Sequence, residues 1–345
     1  MRRLTSLLVL TIFLSCNNKN APDVSNVKVT LDVQRFEQDF FAMDTNQLGL
    51  SLQQLSAKYG LFLNDYLVNI LGIPLLPTKD TAAEAAIKKF IVDYRPLKDT
   101  ADKVFKDFDK VTADVKKGLQ YVGHYFPQYK RPTKLITFIG PLDAYFQGSL
   151  GGYSDIITND GLAVGLQLHV GKQYSIYQSE LGQALYPTYI SRRFEPGYIP
   201  VNCMKNIIDD LYPEKAADKP MIDQMIEKGK RMYVLDKLLP FVDDSLKTGY
   251  TSAQLKGAYD HEADIWNLFL QNNFLFSIDP SIQKNYLQDG PKTEELGEAS
   301  PGFIGMFVGW QIVKKYMSDH GNLSMDQLMQ TDSRKIFEES KYKPR

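Results

Sequence analysis

The chain has 345 residues, of which 43% are hydrophobic and 23% are charged, and it contains 19 phenylalanines and 20 tyrosines. This composition provides the apolar surface of a large folded core and argues against intrinsic disorder. The formal net charge is -1, whereas a nucleic-acid-binding protein normally gathers a basic excess to neutralise phosphates, so we expect no nucleic-acid partner.

Residues 1–15 have the features of an export signal. Arg2 and Arg3 precede an apolar run over Leu4–Leu14. At ~1.5 Å per residue, this run spans about 16 Å as a helix, roughly half of a ~30 Å hydrocarbon core. It is therefore too short for a transmembrane helix and has the length of a signal-peptide apolar region.

The end of this signal predicts a lipid anchor. Residues 13–16, FLSC, resemble the lipobox of bacterial lipoproteins, in which the cysteine becomes the first mature residue and carries a diacylglyceryl group. An ordinary signal peptidase disfavours a residue as bulky as Phe13 three positions before the cut. We therefore predict lipidation of Cys16, with two or three fatty chains that hold the protein at a membrane. The alternative is a chance cysteine beside a plain secretory cleavage site. The other cysteine, Cys203, then has no disulfide partner.

The residues after Cys16 are mostly polar and are rich in types that break helices and strands. This composition predicts a flexible tether over 16–27. Alternating residues predict a strand over Val27–Val33, and apolar residues at helical spacing predict helices over 48–71, 82–94 and 99–122. The strings LITFIG (135–140) and LAVGLQLHV (162–170) have strand patterns and are joined by a glycine-rich loop. Helical spacing returns over 200–212, 220–239, 252–272, 303–318 and 325–330, with a loop over 289–302. We predict one α+β domain over 28–345, predominantly helical, with a small central sheet whose strands pair antiparallel.

The string over His261–Ile265, HEADI, approaches a catalytic motif without completing it. A zinc-peptidase helix needs HExxH, because histidines at positions i and i+4 share one face and hold the metal together. Ile265 occupies the second histidine position, and one imidazole cannot hold a catalytic zinc ion. His124, His169 and His320 are isolated, and His169 is expected to be a hydrogen-bonded structural residue. A Ser-His-Asp triad stays open, since its members come from distant positions.

The glycine-rich strings do not match a nucleotide-binding pattern. FQGSLGG (146–152) fits neither a nucleophile elbow, nor a P-loop, nor a Rossmann turn, so we interpret it as a turn. Gly302, Gly305 and Gly309 recur at near-helical spacing and predict close helix packing, or equally the frame of a groove. The adjacent carboxylates Asp209-Asp210 and Asp243-Asp244 point apart on a helix, and we assign them to solvent.

Several long strings closely resemble the gliding-motility lipoprotein GldB family. The resemblance covers nearly all of the mature chain. It implies a cell-envelope lipoprotein associated with gliding and with type IX secretion, and it provides no catalytic residue. The strings are VQRFEQDFF (33–41), KYGLFLNDYLVNILG (58–72), YPTYISRRFEPGYIPVNCMKNIIDDLYP (186–213), MIEKGKRMYVLDKLLP (225–240), EADIWNLFLQNN (262–273) and DGPKTEELGEASPGFIGMFVGWQIVKKYM (289–317).

A second resemblance concerns the order of elements. The middle sheet, a helix over 201–211 and a helix carrying Glu227 are similar to the core of a family of predicted zinc peptidases. Those proteins carry HExxH where this chain has Asn202 and Asn206, and asparagine is a poor zinc ligand. The resemblance implies a scaffold without its metal, in which Asn202, Asn206 and Glu227 mark a vestigial site and the cleft binds an extended polypeptide. We expect no metal and no cofactor.

Two main functions stay open. The first is a non-enzymatic, lipid-anchored envelope protein, facing the periplasm, that supports gliding motility and/or type IX secretion. Its partners would be the membrane and other gliding or secretion proteins of the envelope. The second is an envelope hydrolase, peptidase-like, with an unrecognised active site. A solute-binding lipoprotein is a third possibility and would need two lobes and a hinge.

Overall fold

The computed structural model describes residues 21–74 and 81–345, and most of these residues are helical. The predicted signal over 1–15 and Cys16 lie outside the described residues. The helices are α1 (Phe36–Phe41), α2 (Leu48–Tyr59), α3 (Leu61–Asp65), α4 (Thr81–Asp93), α5 (Arg95–Val104), α6 (Asp109–Tyr125), α7 (Ser175–Gln178), α8 (Glu180–Leu185), α9 (Thr188–Ser191), α10 (Ile199–Leu211), α11 (Met221–Leu238), α12 (Asp244–Thr248), α13 (Ser252–Asp260), α14 (Glu262–Gln271), α15 (Pro280–Leu287), α16 (Ile304–Asp319), α17 (Met325–Gln330) and α18 (Ser333–Ser340).

Short strands occupy the N-terminal part and the middle of the chain. They are β1 (Asp32–Arg35), β2 (Lys134–Phe138), β3 (Phe146–Gly148), β4 (Gly151–Tyr153), β5 (Ile156–Ile157) and β6 (Leu162–Gly165). A π-helix continues α3 over Tyr66–Ile70. Single 3₁₀ turns cover Thr45–Gln47, Leu166–Leu168, Pro196–Tyr198, Phe274–Phe276 and Glu294–Leu296. The predicted fold class, α+β and predominantly helical, is confirmed.

The main sheet is mixed rather than antiparallel, which corrects the prediction. Its strand order is β1-β2-β6-β5, with β1–β2 and β2–β6 parallel and only β5–β6 antiparallel. β3 and β4 form a separate antiparallel hairpin. Parallel strands need long crossover connections, and six helices separate β1 from β2. The nearly continuous apolar strings of β2 and β6 are typical of parallel strands that are buried on both faces, a signal that the antiparallel prediction overlooked.

Three predicted helices are interrupted by a change in the backbone. The helix predicted over 99–122 is divided at residues 105–108, which separate α5 from α6. The helix predicted over 48–71 breaks at Gly60, whose φ of +56° is accessible to glycine at little cost. The amide of Phe62 in the next helix then donates to the Asp160 carboxylate at 2.8 Å. The helix predicted over 252–272 divides at His261, which separates α13 from α14. Most of the other boundaries lie within a few residues of the predicted ones, as expected for frayed helix ends.

The core begins earlier in the chain than predicted. Buried apolar side chains from Val24 to Tyr342 form one contiguous cluster, and Val24 is fully buried. Residues from Ala21 onward therefore belong to the packed body, which shortens the predicted tether over 16–27 at its C-terminal end. Within the described residues, no helix combines the length and the apolar character needed to cross a membrane.

Helices α11 and α16 cross with their backbones in contact. A Cβ atom built on Gly309 would lie 1.7 Å from the carbonyl oxygen of Met225, and one built on Gly229 would lie 2.2 Å from the carbonyl carbon of Gly309. No side chain fits at either position, so glycine is required for this approach. The predicted close packing around Gly309 is confirmed, with Gly229 of α11 as its counterpart.

Gly309→Ala should therefore lower the free energy of unfolding by about 2 kcal/mol or more, because the methyl group forces the two helices apart. Gly257→Ala is the matched control: it lies within α13 with no atom within 4 Å of its added Cβ. That change should raise stability by about 0.5–1 kcal/mol, since alanine loses less backbone entropy in a helix. Urea unfolding of the two variants measures the difference, and similar effects at both positions would contradict the steric argument.

Candidate functional site

A buried carboxylate links the sheet to α10. The Asp155 side chain accepts hydrogen bonds from the Asn202 amide at 2.8 Å, from His169 Nε2 at 2.9 Å and from the Gly165 amide at 3.1 Å. Its backbone carbonyl accepts from the Asn206 amide at 3.1 Å. Asp155 is only 1% exposed and His169 only 2%. A carboxylate so deeply buried needs several donors to replace water, and this network supplies them.

The network engages both ring nitrogens of His169. Nε2 faces the Asp155 carboxylate, and Nδ1 lies 3.3 Å from the carbonyl oxygen of Glu195. The sequence prediction that His169 is hydrogen-bonded is confirmed. A catalytic base must offer one nitrogen to a nucleophile or substrate, and neither nitrogen of His169 is directed at one.

The structure brings Asn202 and Asn206 together but gives Glu227 other partners. Both asparagines use their amide N–H groups as donors to Asp155. The Glu227 carboxylate contacts Lys230 at 2.6 Å, the Ser333 hydroxyl at 2.6 Å and Arg231 at 3.3 Å. These cations and the Ser333 hydroxyl hold the pKa of Glu227 below its usual value despite its burial. A zinc site needs free electron pairs converging on one point, and these three residues do not offer them.

Next to this network lies an open cleft with a volume of about 680 Å³, which we call the hairpin cleft. Its walls are the β3–β4 hairpin, helices α11 and α15, and Phe303, which precedes α16. A small cavity of about 20 Å³, lined by His169 and Lys205, lies between hairpin and network. The hairpin therefore separates a saturated buried network from an open surface.

Two lysines, one buried and one half-buried, donate hydrogen bonds to the turn of the hairpin. Lys205 of α10 donates to the Leu150 carbonyl at 3.1 Å, and Lys228 of α11 donates to the Ser149 carbonyl at 3.0 Å. Burial, together with the nearby Arg193 guanidinium, lowers the pKa of Lys205 to about 8. Burial likewise lowers the pKa of Lys228. The turn carbonyls of the hairpin therefore receive cationic donors, which is the stronger class of hydrogen bond.

Two carboxylates, those of Asp289 and Asp209, lie beside the hairpin. Arg193 binds Asp289 through two hydrogen bonds of 3.2 and 3.0 Å. Asp209 accepts from the Ser149 amide at 2.9 Å, and also from the Ser149 hydroxyl. The assignment of Asp209 to solvent was therefore wrong, whereas its neighbour Asp210 is exposed. Adjacent residues do point apart on a helix, and this geometry directs Asp209 at the hairpin.

The hairpin glycines are required by close contacts. A Cβ on Gly152 would lie 2.1 Å from the Tyr145 ring. Gly151 has a φ of +98°, and a Cβ added to it would lie 3.1 Å from Oδ2 of Asp289. The interpretation of FQGSLGG as a turn is confirmed. No pattern in the sequence indicates that this turn forms the wall of a cleft.

Phe303 occupies a backbone conformation that is costly for a bulky residue. Its φ of +57° and ψ of 32° lie in the left-handed region. Its carbonyl accepts from the Tyr250 hydroxyl at 3.0 Å, which holds the conformation, and its ring lies 5.3 Å from Lys228 Nζ. Strained residues of this kind cluster at functional sites.

Other sequence candidates lie elsewhere. His261 is exposed, and Nδ1 of its ring lies 3.2 Å from the Asp264 carboxylate. A second cleft of about 580 Å³ lies beside β5 and the segment before β2. There Lys134 lies 3.7 Å from Asp160, so the charges of the cleft wall are partly paired. In the described parts of the chain, no group of three or more histidine, cysteine or acidic side chains could hold a metal ion.

Comparison with known proteins identifies one family. A family model described as gliding motility protein GldB matches residues 17–344. No curated protein and no solved structure matches the chain. The family match covers nearly the whole chain and agrees with the resemblance found in its long strings.

The burial of Lys205 should be visible in the pH dependence of stability. Its folded pKa of about 8 lies below the ordinary lysine value of about 10.4, so between these values the unfolded chain binds a proton that the native state has released. The contribution of Lys205 to stability should consequently rise with pH, by about 1.5 kcal/mol between pH 8 and 9.5. Urea unfolding of Lys205→Met should lack this rise. The buried Cys203 and Tyr250, whose pKa values are raised, act in the opposite direction, but equally in wild type and variant, so the difference between the two curves isolates Lys205.

The exposed Lys335 provides the control, since Lys335→Met should retain the wild-type pH dependence. The lost hydrogen bond to Leu150 shifts the Lys205→Met curve by a constant amount and leaves its slope unaffected. Parallel curves for wild type and Lys205→Met would contradict the lowered pKa.

Proposed function

Since the chain belongs to the gliding motility protein GldB family, a lipoprotein family, we propose that it is a non-enzymatic, periplasm-facing envelope protein that supports gliding motility, type IX secretion or both by binding partner proteins. Membrane attachment follows from the lipoprotein nature of the family. The binding role rests on the structure of the region between β5 and α10 and on the cleft beside it.

One observation carries the proposal. The position at which a peptidase-like scaffold would hold reactive groups contains a hydrogen-bond network in which Asp155 receives donors from His169, Asn202 and Gly165. A reactive site needs groups with unmet bonding capacity that face the substrate. The network is saturated from within the protein, while the adjacent hairpin cleft is open. This combination suits binding better than bond cleavage.

The alternative, an envelope hydrolase, would need a different arrangement. Its base would have to leave one nitrogen or oxygen free for a nucleophile within about 3 Å. His169 is enclosed on both sides by Asp155 and by the Glu195 carbonyl. No feature of the described residues favours this alternative.

The anchor is testable in a gliding bacterium that lacks its own copy of the gene. A Cys16→Ala copy should lose labelling by radioactive palmitate, because the acceptor sulfur is absent, and colonies should lose most of their spreading. Cys203→Ala is the matched control, since that cysteine is buried and free. It should keep both the label and the spreading. A label that persists in Cys16→Ala would refute lipidation at this residue.

A second test separates binding from catalysis. His169→Gln retains an amide donor that can reach Asp155, so the folded protein should accumulate to at least about half of the wild-type level. If the protein acts without catalysis, spreading should follow the amount of folded, membrane-bound protein. A hydrolase that depends on this histidine would lose at least about a hundredfold in rate. Wild-type protein levels with no spreading would therefore contradict the proposal.

A further inference from the structure

Lys228 has bonding capacity that the protein does not use. An ammonium group has three N–H donors. In Lys228, one donates to the Ser149 carbonyl at 3.0 Å, and the face of the Phe303 ring lies 5.3 Å from Nζ. The side chain is half-buried and lines the hairpin cleft. One donor is therefore left for a group inside the cleft.

The nearby carboxylates are already committed elsewhere. Asp289 is bound by Arg193 at 3.0 Å, and Asp209 by Ser149 at 2.9 Å. Glu227, the neighbour of Lys228 in the chain, binds Lys230 at 2.6 Å. Within the described ranges, no carboxylate oxygen lies within 4 Å of Lys228 Nζ, in contrast to the buried Lys230 and Lys247. Glu214, Asp209 and Asp289 act on Lys228 through their charge without contacting its ammonium group. Partly buried cations normally contact an anion directly, so Lys228 lacks an ion pair of its own within the described residues.

The rest of the cleft suits a polypeptide. Gln147 and Gln288 are exposed on its rim and offer both amide donors and carbonyl acceptors, as peptide groups do. Ile190 and Leu287 add apolar surface, and Lys284 adds a second positive charge at the edge. A volume of about 680 Å³ is large enough for a short chain segment.

We propose that the hairpin cleft binds a carboxylate group of a partner polypeptide, with Lys228 as the residue that receives it. The carboxylate belongs either to an acidic side chain or to a chain terminus. The strained backbone of Phe303 places its ring under the ammonium group and holds Lys228 in position. This inference rests on the proposed binding function and names the chemistry of its partner.

Binding of three short peptides to the full-length protein in detergent tests the inference. The probes are acetyl-tetra-alanine with a free C-terminus, the same peptide as its C-terminal amide, and acetyl-Ala-Glu-Ala-amide. Methyl NMR signals of Ile190 and Leu287 report occupancy of the cleft. We expect at least one carboxylate peptide to bind at least tenfold more tightly than the neutral amide, and the better of the two identifies the source of the carboxylate.

Variants of Lys228 complete the test. Lys228→Gln should weaken carboxylate binding at least tenfold, and Lys228→Arg should restore most of it. The remote Lys335→Gln should leave it unchanged. Equal binding of the amide and both carboxylate peptides, or unchanged binding to a folded Lys228→Gln protein, would overturn the inference. If one of these results appears while the Lys228→Gln strain spreads normally, the inference about the carboxylate fails. The proposal that the protein binds envelope partners would still stand, because spreading tests that proposal separately.

Discussion

The architecture of the cleft depends on the backbone contact between α11 and α16. Gly229 and Gly309 have no side chain between the two helices, so the helix axes are held at a distance that no larger residue permits. Lys228 adjoins Gly229 in the chain, and Phe303 immediately precedes α16. The crossing thus determines how far the ammonium group of Lys228 lies from the Phe303 ring. A change of one methyl group at the crossing would move both walls of the cleft.

Burial of charge is the second constraint. Lys205 and Lys228 lie under the hairpin and donate to its turn carbonyls rather than to carboxylates. The free energy lost in desolvating these cations is offset only in part by neutral acceptors, which is why burial lowers the pKa of both lysines. Proteins keep such unfavourable arrangements where a function requires them. The proposed binding of a carboxylate would be such a function.

Much of the fold was predictable from the sequence, because long helices with periodic apolar residues carry a strong local signal. Only a few contacts of the candidate site could be predicted. His169 and Asn202 meet at Asp155, from which they lie 14 and 47 residues away in the chain, and no local pattern records such a contact. The close packing at Gly309 was foreseen, but its partner Gly229 was not. Helical geometry correctly predicts that the Asp209 and Asp210 side chains point in different directions. It does not tell which of the two faces the protein.

The lipid anchor would compensate for weak binding of a partner in the cleft. One hydrogen bond between an ammonium group and a carboxylate contributes about 1.5–3 kcal/mol, which alone supports only weak binding. If the proposed partner is attached to the same membrane surface, the effective concentration of the two proteins rises to the millimolar range, and a weak contact is then occupied for much of the time. A weak contact also exchanges rapidly, because affinity is determined mainly by the dissociation rate. The proposed contact between Lys228 and a partner carboxylate would therefore form and release quickly, which suits the proposed support of gliding motility.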